Sequence, residues 1–252
     1  MLDNTIPQRG KLNFVRDRTD LNQLTETFEQ FGRVQIPEFL VSDSANKIHQ
    51  ALEEQSEWNL AWNNQGQHTD MSFTGVMNWT EEQRKTLEKR IHTQAEQGFQ
   101  YCYSAIPIFD IYQNNLMPDH FFNEIYELFN DPGLLAMVRQ ITDLDAIRYT
   151  DMQATRFSKG HFLTEHDDNV KGKNRLAAFV LNLTPHWRDD WGGALIFPDQ
   201  KGSESKSLFP KFNVLNIFAV PQKHLVSFVT PFAGAHRYSI TGWFRSSLRV
   251  GG

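Results

Sequence analysis

Apolar residues fall at helical spacing in the first half of the chain and at alternate positions in the second. After Asp20, a capping residue, Leu21, Leu24, Phe28 and Phe31 share one face, and Gly32 supplies the stop. Residues 33–37 alternate as a short strand, with Val34 and Ile36 on one side. Ser42 or Asp43 caps a second helix reaching Gln55, with Ala45, Ile48 and Leu52 as its buried stripe. Residues 58–79 are polar and studded with aromatics, a pattern for loops and short strands. Thr80 with Gln83 is a capping-box signature, and the helix it opens carries a thin stripe of Leu87, Ile91 and Ala95 before Gly98. Two helices fit residues 117–143. Phe121, Ile125, Leu128 and Phe129 face inward in the first; Asp131-Pro132 starts the second, which continues through Leu135, Val138 and Ile141.

From Ile147 the period drops to about two. Strands are predicted at 147–157, 162–166, 176–183, 194–197, 214–219, 225–229 and 237–244, separated by short Gly-, Pro- and Asn-bearing connections. Residues 201–207 read as a polar loop, and residues 1–20 as an irregular arm with a short strand. Many short strands after a helical half predict an α+β fold, a double-sheet barrel buttressed by helices. The expected organisation is a helical half with a first strand over 1–146, packed on a barrel over 147–252 as one compact unit.

Composition narrows the setting. The chain has 252 residues, 40% hydrophobic, with 20 Phe, enough for one sizeable core or an aromatic-lined pocket. Net charge is −5 with no Lys/Arg run, so nucleic acid is not an expected partner. No apolar run approaches the length of a membrane span and no N-terminal apolar leader is present, so no membrane partner is expected either. Cys102 is the single cysteine, which excludes an intrachain disulfide and points to a reducing, cytoplasmic setting.

Candidate chemistry concentrates between Arg156 and Arg245. His166 and Asp168, two apart on a strand, point the same way and can share one ion, while Asp167 points away. His224 opens a later strand and offers a third ligand. Two imidazoles and one carboxylate on one face of Fe(II) leave room for a chelating co-substrate and oxygen. Zinc takes similar ligands, usually in a tetrahedral site. A second His-x-Asp, His68-Thr69-Asp70, has the same spacing but sits in a polar stretch without a downstream His and Arg in register. Local hydrogen bonding in a surface loop is its expected role.

On the last strand Arg237, Ser239, Thr241 and Trp243 share one face, and Tyr238, Ile240 and Phe244 the other. A row of hydrogen-bonding side chains in a Phe-rich barrel suits a pocket wall, and Arg offers a planar fork for a carboxylate. The plainer alternative is a solvated face with Arg237 in a surface salt bridge; the nearby His224 favours the pocket.

These pieces resemble the 2-oxoglutarate- and iron(II)-dependent dioxygenases, in their prolyl-hydroxylase-like branch. The similar segments are Arg156-Phe157-Ser158-Lys159-Gly160, the His-x-Asp at 166–168, residues 175–184, Trp191-Gly192-Gly193 with Leu195-Ile196-Phe197-Pro198, Phe209-Pro210-Lys211-Phe212-Asn213, and His224 with Arg237 to Trp243. The resemblance implies a double-stranded β-helix, or jelly roll, with His166, Asp168 and His224 on iron and no catalytic side chain beyond those ligands. It also implies Arg237 on the far carboxylate of 2-oxoglutarate, with Ser239, Asn182 and Thr241 as further contacts. Gln153, Arg156 and Trp243 are the expected substrate-pocket residues. Such enzymes use O2 to hydroxylate a C–H bond while 2-oxoglutarate yields succinate and CO2, with ascorbate as an accessory reductant. The implied substrate is a prolyl or other residue of a protein or peptide. A free or carrier-bound amino acid or small metabolite is the alternative, and a jelly-roll metal sensor without catalysis a second one. Phe157 and Val180 stand where relatives commonly place tyrosines. His161, and aromatic side chains Trp58, Trp62, Phe73 and Trp79 as a lid, are further candidates for the pocket region.

Overall fold

The computed structural model describes residues 11–198 and 205–247; the first ten residues of the expected arm and part of the 201–207 loop lie outside them. Helix α1 (Leu21–Phe31) ends where Gly32 adopts φ +63°, its N–H reaching the Phe28 carbonyl at 2.7 Å. Asp20 makes no side-chain cap, because its carboxylate takes two bonds from the Arg18 guanidinium at 2.9 and 2.7 Å. Strand β1 (Arg33–Ile36) leads to α2 (Ser42–Glu54), which buries Ala45, Ile48 and Leu52. A hairpin, β2 (Asn59–Asn64) and β3 (Gln67–Met71), and a short helix α3 (Phe73–Met77) follow. Helix α4 (Glu81–Ala95) opens on the full capping box: Thr80 Oγ1 accepts the Gln83 N–H at 3.2 Å and the Gln83 side chain accepts the Thr80 N–H at 2.8 Å.

Strand β4 (Tyr101–Ile106) and helices α5 (Ile108–Gln113), α6 (Phe122–Phe129) and α7 (Pro132–Thr142) complete the first half. Asp131 caps α7 through the N–H groups of Gly133 and Leu134, with Pro132 at the first helical position. The second half supplies β5 (Tyr149–Phe157), β6 (Phe162–His166), β7 (Arg175–Asn182), β8 (Leu195–Phe197), β9 (Lys206–Leu208), β10 (Val214–Ala219), β11 (His224–Val226) and β12 (Arg237–Arg245). Strand β9, in the stretch read as a polar loop, pairs with β8.

The strands form one curled antiparallel sheet in the order β1-β10-β7-β12-β5-β4-β6-β11-β8-β9, with the β2–β3 hairpin attached through β4. Strands β1 to β4 precede residue 147, so the sheet spans the expected boundary, and β4 lies between β5 and β6.

Alternation divides the sheet into two faces. Phe179, Leu181, Leu215, Ile217, Tyr238, Ile240 and Phe244 pack against the helices in the main core, with Phe39, Phe122 and Phe129. Phe179 stacks on Phe129 at 4.7 Å and meets Phe244 at 5.0 Å. The residues between them along each strand face the inside of the curl, where Ala178, Val180, Leu195, Phe197 and Phe218 form a second cluster. Rings of Phe218 (β10) and His224 (β11), 4.5 Å apart, connect the two halves of the curl. The helices brace one half; the functional groups gather between the two.

Candidate metal centre and co-substrate pocket

His166 closes β6 and His224 opens β11, and the two are register partners. Asp168 lies two residues past the end of its strand with φ +62°, a left-handed conformation that Asp tolerates. The turn, rather than strand alternation, carries its carboxylate back toward the histidines, which corrects the expected reason for their shared direction. Asp168 Oδ1 lies 3.5 Å from His166 Nε2, and Oδ2 lies 3.5 Å from His224 Nε2. The three ligand atoms fall within 4.8 Å of one another, and no other such His/Cys/Asp/Glu group occurs among the described residues. Cis ligands at ~2.1 Å from one ion stand roughly 3 Å apart, so the triangle fits a single ion.

Both imidazoles are oriented by backbone. His166 Nδ1 faces the Thr164 carbonyl at 3.0 Å and His224 Nδ1 the Gln222 carbonyl at 2.8 Å. As Nδ1–H donors they leave both Nε2 lone pairs free for a metal. Burial works to raise the Asp168 carboxyl, but the hydrogen bond from His166 and the charges of His224 and His166 outweigh it and hold the group at about 2. Burial, with repulsion from His166, lowers His224 to about 4. At neutral pH the site therefore offers a neutral His224 imidazole and an ionised Asp168 carboxylate. Arg175 supports it, with Nη1 3.6 Å from Asp168 Oδ1 and 3.2 Å from the Asp168 carbonyl. Its guanidinium carbon lies over the Trp243 ring, 3.5 Å from the centroid.

A cavity of about 430 Å³ opens beside these ligands. Arg237 enters it from β12, fully buried, donating from Nη2 to Asn182 Oδ1 at 3.3 Å. Its Nε has no hydrogen-bond partner, and burial alone lowers its pKa, to about 10, with no carboxylate among the described residues to offset it. A buried, charged guanidinium with a free donor is what an incoming carboxylate would satisfy. The outward salt bridge considered for Arg237 is thereby excluded. The Trp191-Gly192-Gly193 turn makes space for it: a Cβ on Gly193 would sit 3.2 Å from Arg237 Cδ, and one on Gly192 would meet the Phe228 carbonyl oxygen.

Phe157, Val180, Gln153, Thr241 and Trp243 also line the cavity. Asn182 and Ser239 do not. Asn182 stands behind Arg237 and orients it; Ser239 is fully buried, its Oγ without a hydrogen-bond partner. Arg156 is a correction. It follows Thr155, which faces the cavity, and so points to the reverse face of the sheet, where its guanidinium rests 5.0 Å over Trp58.

That reverse face holds a separate cavity of about 460 Å³ lined by Trp58, Phe73, Trp79, Arg156 and His161, so these aromatics form no lid over the metal. Trp62 packs with Ile91 and Phe162. His68-Thr69-Asp70 is a strand of the hairpin, not a loop. His68 lines the first cavity with its Nδ1 2.6 Å from the Tyr101 hydroxyl, and takes no part in the metal cluster. Among the lining residues that had drawn no notice in the sequence are Tyr101 and Tyr103 of β4.

A curled-sheet wall, a His/Asp/His cluster and a buried Arg thus meet in one cavity. Residues 152–245 match the family model of the 2OG-Fe(II) oxygenase superfamily. Fe(II), 2-oxoglutarate and O2 are the requirements of the family. The chain's likeness to prolyl hydroxylases is direct: it is 34% identical over 116 residues to prolyl 3-hydroxylase OGFOD1 of Mus musculus, a match covering 43% of this chain and 21% of that protein. The matched segment thus spans about a fifth of the curated relative. Among solved structures, a 2OG-Fe(II) oxygenase-family oxidoreductase from Burkholderia pseudomallei shares the fold, with TM-score 0.59, 14% identity and coverage of 94% and 96% of the two chains. So does a prolyl hydroxylase from Trichoplax adhaerens in complex with a hypoxia inducible factor peptide fragment, with TM-score 0.56, 18% identity and coverage of 90% and 89%. The expected double-stranded β-helix is the fold of this chain.

Proposed function

We propose that the chain is an Fe(II)- and 2-oxoglutarate-dependent hydroxylase acting on a prolyl or other residue of a protein or peptide. One observation carries this reading. The Nε2, Nε2 and carboxylate donors of His166, His224 and Asp168 converge on the same cavity that Arg237, charged and short of a partner, enters from β12.

His166, Asp168 and His224 would hold the iron, and Arg237 the far carboxylate of the co-substrate. Bound there, iron supplies the redox chemistry by which O2 oxidises a substrate C–H bond while 2-oxoglutarate becomes succinate and CO2. The protein's own part is positioning. Hydrogen bonds at each Nδ1 hold the imidazoles in their ligating tautomer, and Arg175 holds Asp168. Phe157, Leu195, Phe218 and Val226 give the cavity apolar walls that limit water.

A peptide is favoured over a free metabolite by the residues around the ligands. Phe99, 47% exposed, packs at a tilt against His166, and Val170, 49% exposed, follows Asp168 in the connection to β7; both line the cavity. Exposed apolar surface at a site marks a place where another chain can lie. The prolyl 3-hydroxylase name of the curated relative supports the same choice. Ascorbate would serve as accessory reductant. No helix among the described residues is long and apolar enough to cross a membrane, and the free thiol Cys102 suits a reducing, cytoplasmic setting.

The test is succinate formation by the purified protein with Fe(II), 2-oxoglutarate and peptide pools, beside an Asp168→Ala control. Succinate above the control, with a substrate gaining one oxygen atom, is expected. No succinate above the control with any pool would leave a metal-binding protein without catalysis.

A further inference from the structure

Tyr103 projects from β4 into the metal cavity, where its neighbours fix the ring and leave the hydroxyl as the group with something to do. The ring stacks on Phe157, centroids 5.3 Å apart and planes 17° from parallel, and Tyr101 packs on it at 5.5 Å. Its hydroxyl oxygen accepts the Gln153 amide N–H at 3.4 Å. A phenol that accepts a hydrogen bond keeps its own hydrogen for donation, and no acceptor among the described residues takes it.

Two other donors on β4 and β7 are committed. The Tyr101 hydroxyl is engaged with His68 Nδ1 at 2.6 Å, and Arg175 with Asp168. Tyr103 lines the same cavity as the metal ligands, and on their side its ring is joined to His166 through Tyr101 and Phe99, with successive centroids 5.5, 5.5 and 5.4 Å apart. Burial, helped by the Asp168 and Asp70 carboxylates, raises the Tyr103 pKa above the ordinary value, and the group remains a protonated donor. A keto-acid held at its far carboxylate by Arg237 presents its 2-oxo and 1-carboxylate oxygens on that same side, and these oxygens are acceptors only.

We infer that Tyr103 donates a hydrogen bond to the 2-oxo-acid end of the co-substrate, so that β4 and β12 hold opposite ends of one molecule. The assignment rests on the hydroxylase reading above and names a residue of the N-terminal half as part of its co-substrate pocket. It makes the Phe157 ring a platform that orients the phenol rather than a contact in its own right.

The experiment is titration calorimetry of 2-oxoglutarate into Mn(II)-loaded protein, for the wild type and Tyr103→Phe, with Mn(II) affinity and Tm measured on both. Phe keeps the stack and removes only the hydroxyl. The expected result is a roughly ten-fold weaker 2-oxoglutarate Kd with Mn(II) affinity and Tm unchanged. An unchanged 2-oxoglutarate Kd, or equal weakening of Mn(II) and 2-oxoglutarate, overturns the role of Tyr103 and leaves the hydroxylase reading standing. Failure of the wild type itself to bind 2-oxoglutarate overturns that reading, and this assignment with it.

Discussion

His166 and His224 face each other across β6 and β11, ring centroids 4.1 Å apart, each with its Nδ1 tied to the carbonyl two residues before it. The matched tethers aim both Nε2 atoms at Asp168. His224→Ala removes one vertex of the triangle without touching Arg237. Mn(II) affinity, followed by electron paramagnetic resonance, is expected to fall beyond the roughly hundred-fold that supporting residues contribute. Retention within about three-fold would contradict the ligand assignment.

Arg175 contacts Asp168 and Trp243 together, and so fixes the carboxylate against the indole. Arg175→Gln keeps a polar side chain but loses the fork and the cation over the indole. Mn(II) affinity is expected to fall roughly ten-fold, the range for a residue that orients a ligand. An unchanged affinity would reduce Arg175 to a wall residue.

Two buried histidines set a pH window for the metal-free protein. Burial lowers His161 and His224 to about 4, from an ordinary value of 6.5. Between those values the unfolded chain binds more protons than the folded one, so stability falls as pH drops from about 6.5 to 4. Each group accounts for roughly 3 kcal/mol across the window. Asp168, held at about 2, loses its own contribution only as pH falls below about 4. Urea unfolding of chelator-treated protein at pH 7 and pH 4.5 measures this; equal stabilities would contradict it.

Gly192 has φ +74°, and a side chain there would collide with the Phe228 carbonyl. Gly192→Ala is expected to destabilise the chain by about 2 kcal/mol in urea unfolding, combining the backbone strain with the clash. A change below about 0.5 kcal/mol would mean that the turn adjusts freely.

The faces of β12 were legible because Tyr238, Ile240 and Phe244 all meet the helical core, leaving Arg237, Thr241 and Trp243 to the cavity. Strand β4 was not. Tyr101 and Tyr103 line one cavity while Cys102 and Ser104 line the other, so neither side shows the apolar alternation of a half-buried strand. The same argument explains the β5 error. Gln153 and Arg156 are three positions apart, and period-2 geometry sends them to opposite faces. Asp168 escaped strand logic because its direction depends on a left-handed turn that spacing alone does not encode.

The central claim is that the His166/Asp168/His224 cluster and Arg237 serve one bound molecule. Calorimetry of 2-oxoglutarate with Mn(II)-loaded Arg237→Gln tests it most directly. Loss of a buried charge partner should weaken 2-oxoglutarate about thirty-fold or more while Mn(II) affinity stays at the wild-type value. Unchanged 2-oxoglutarate binding, or equal loss of metal and co-substrate, would contradict it.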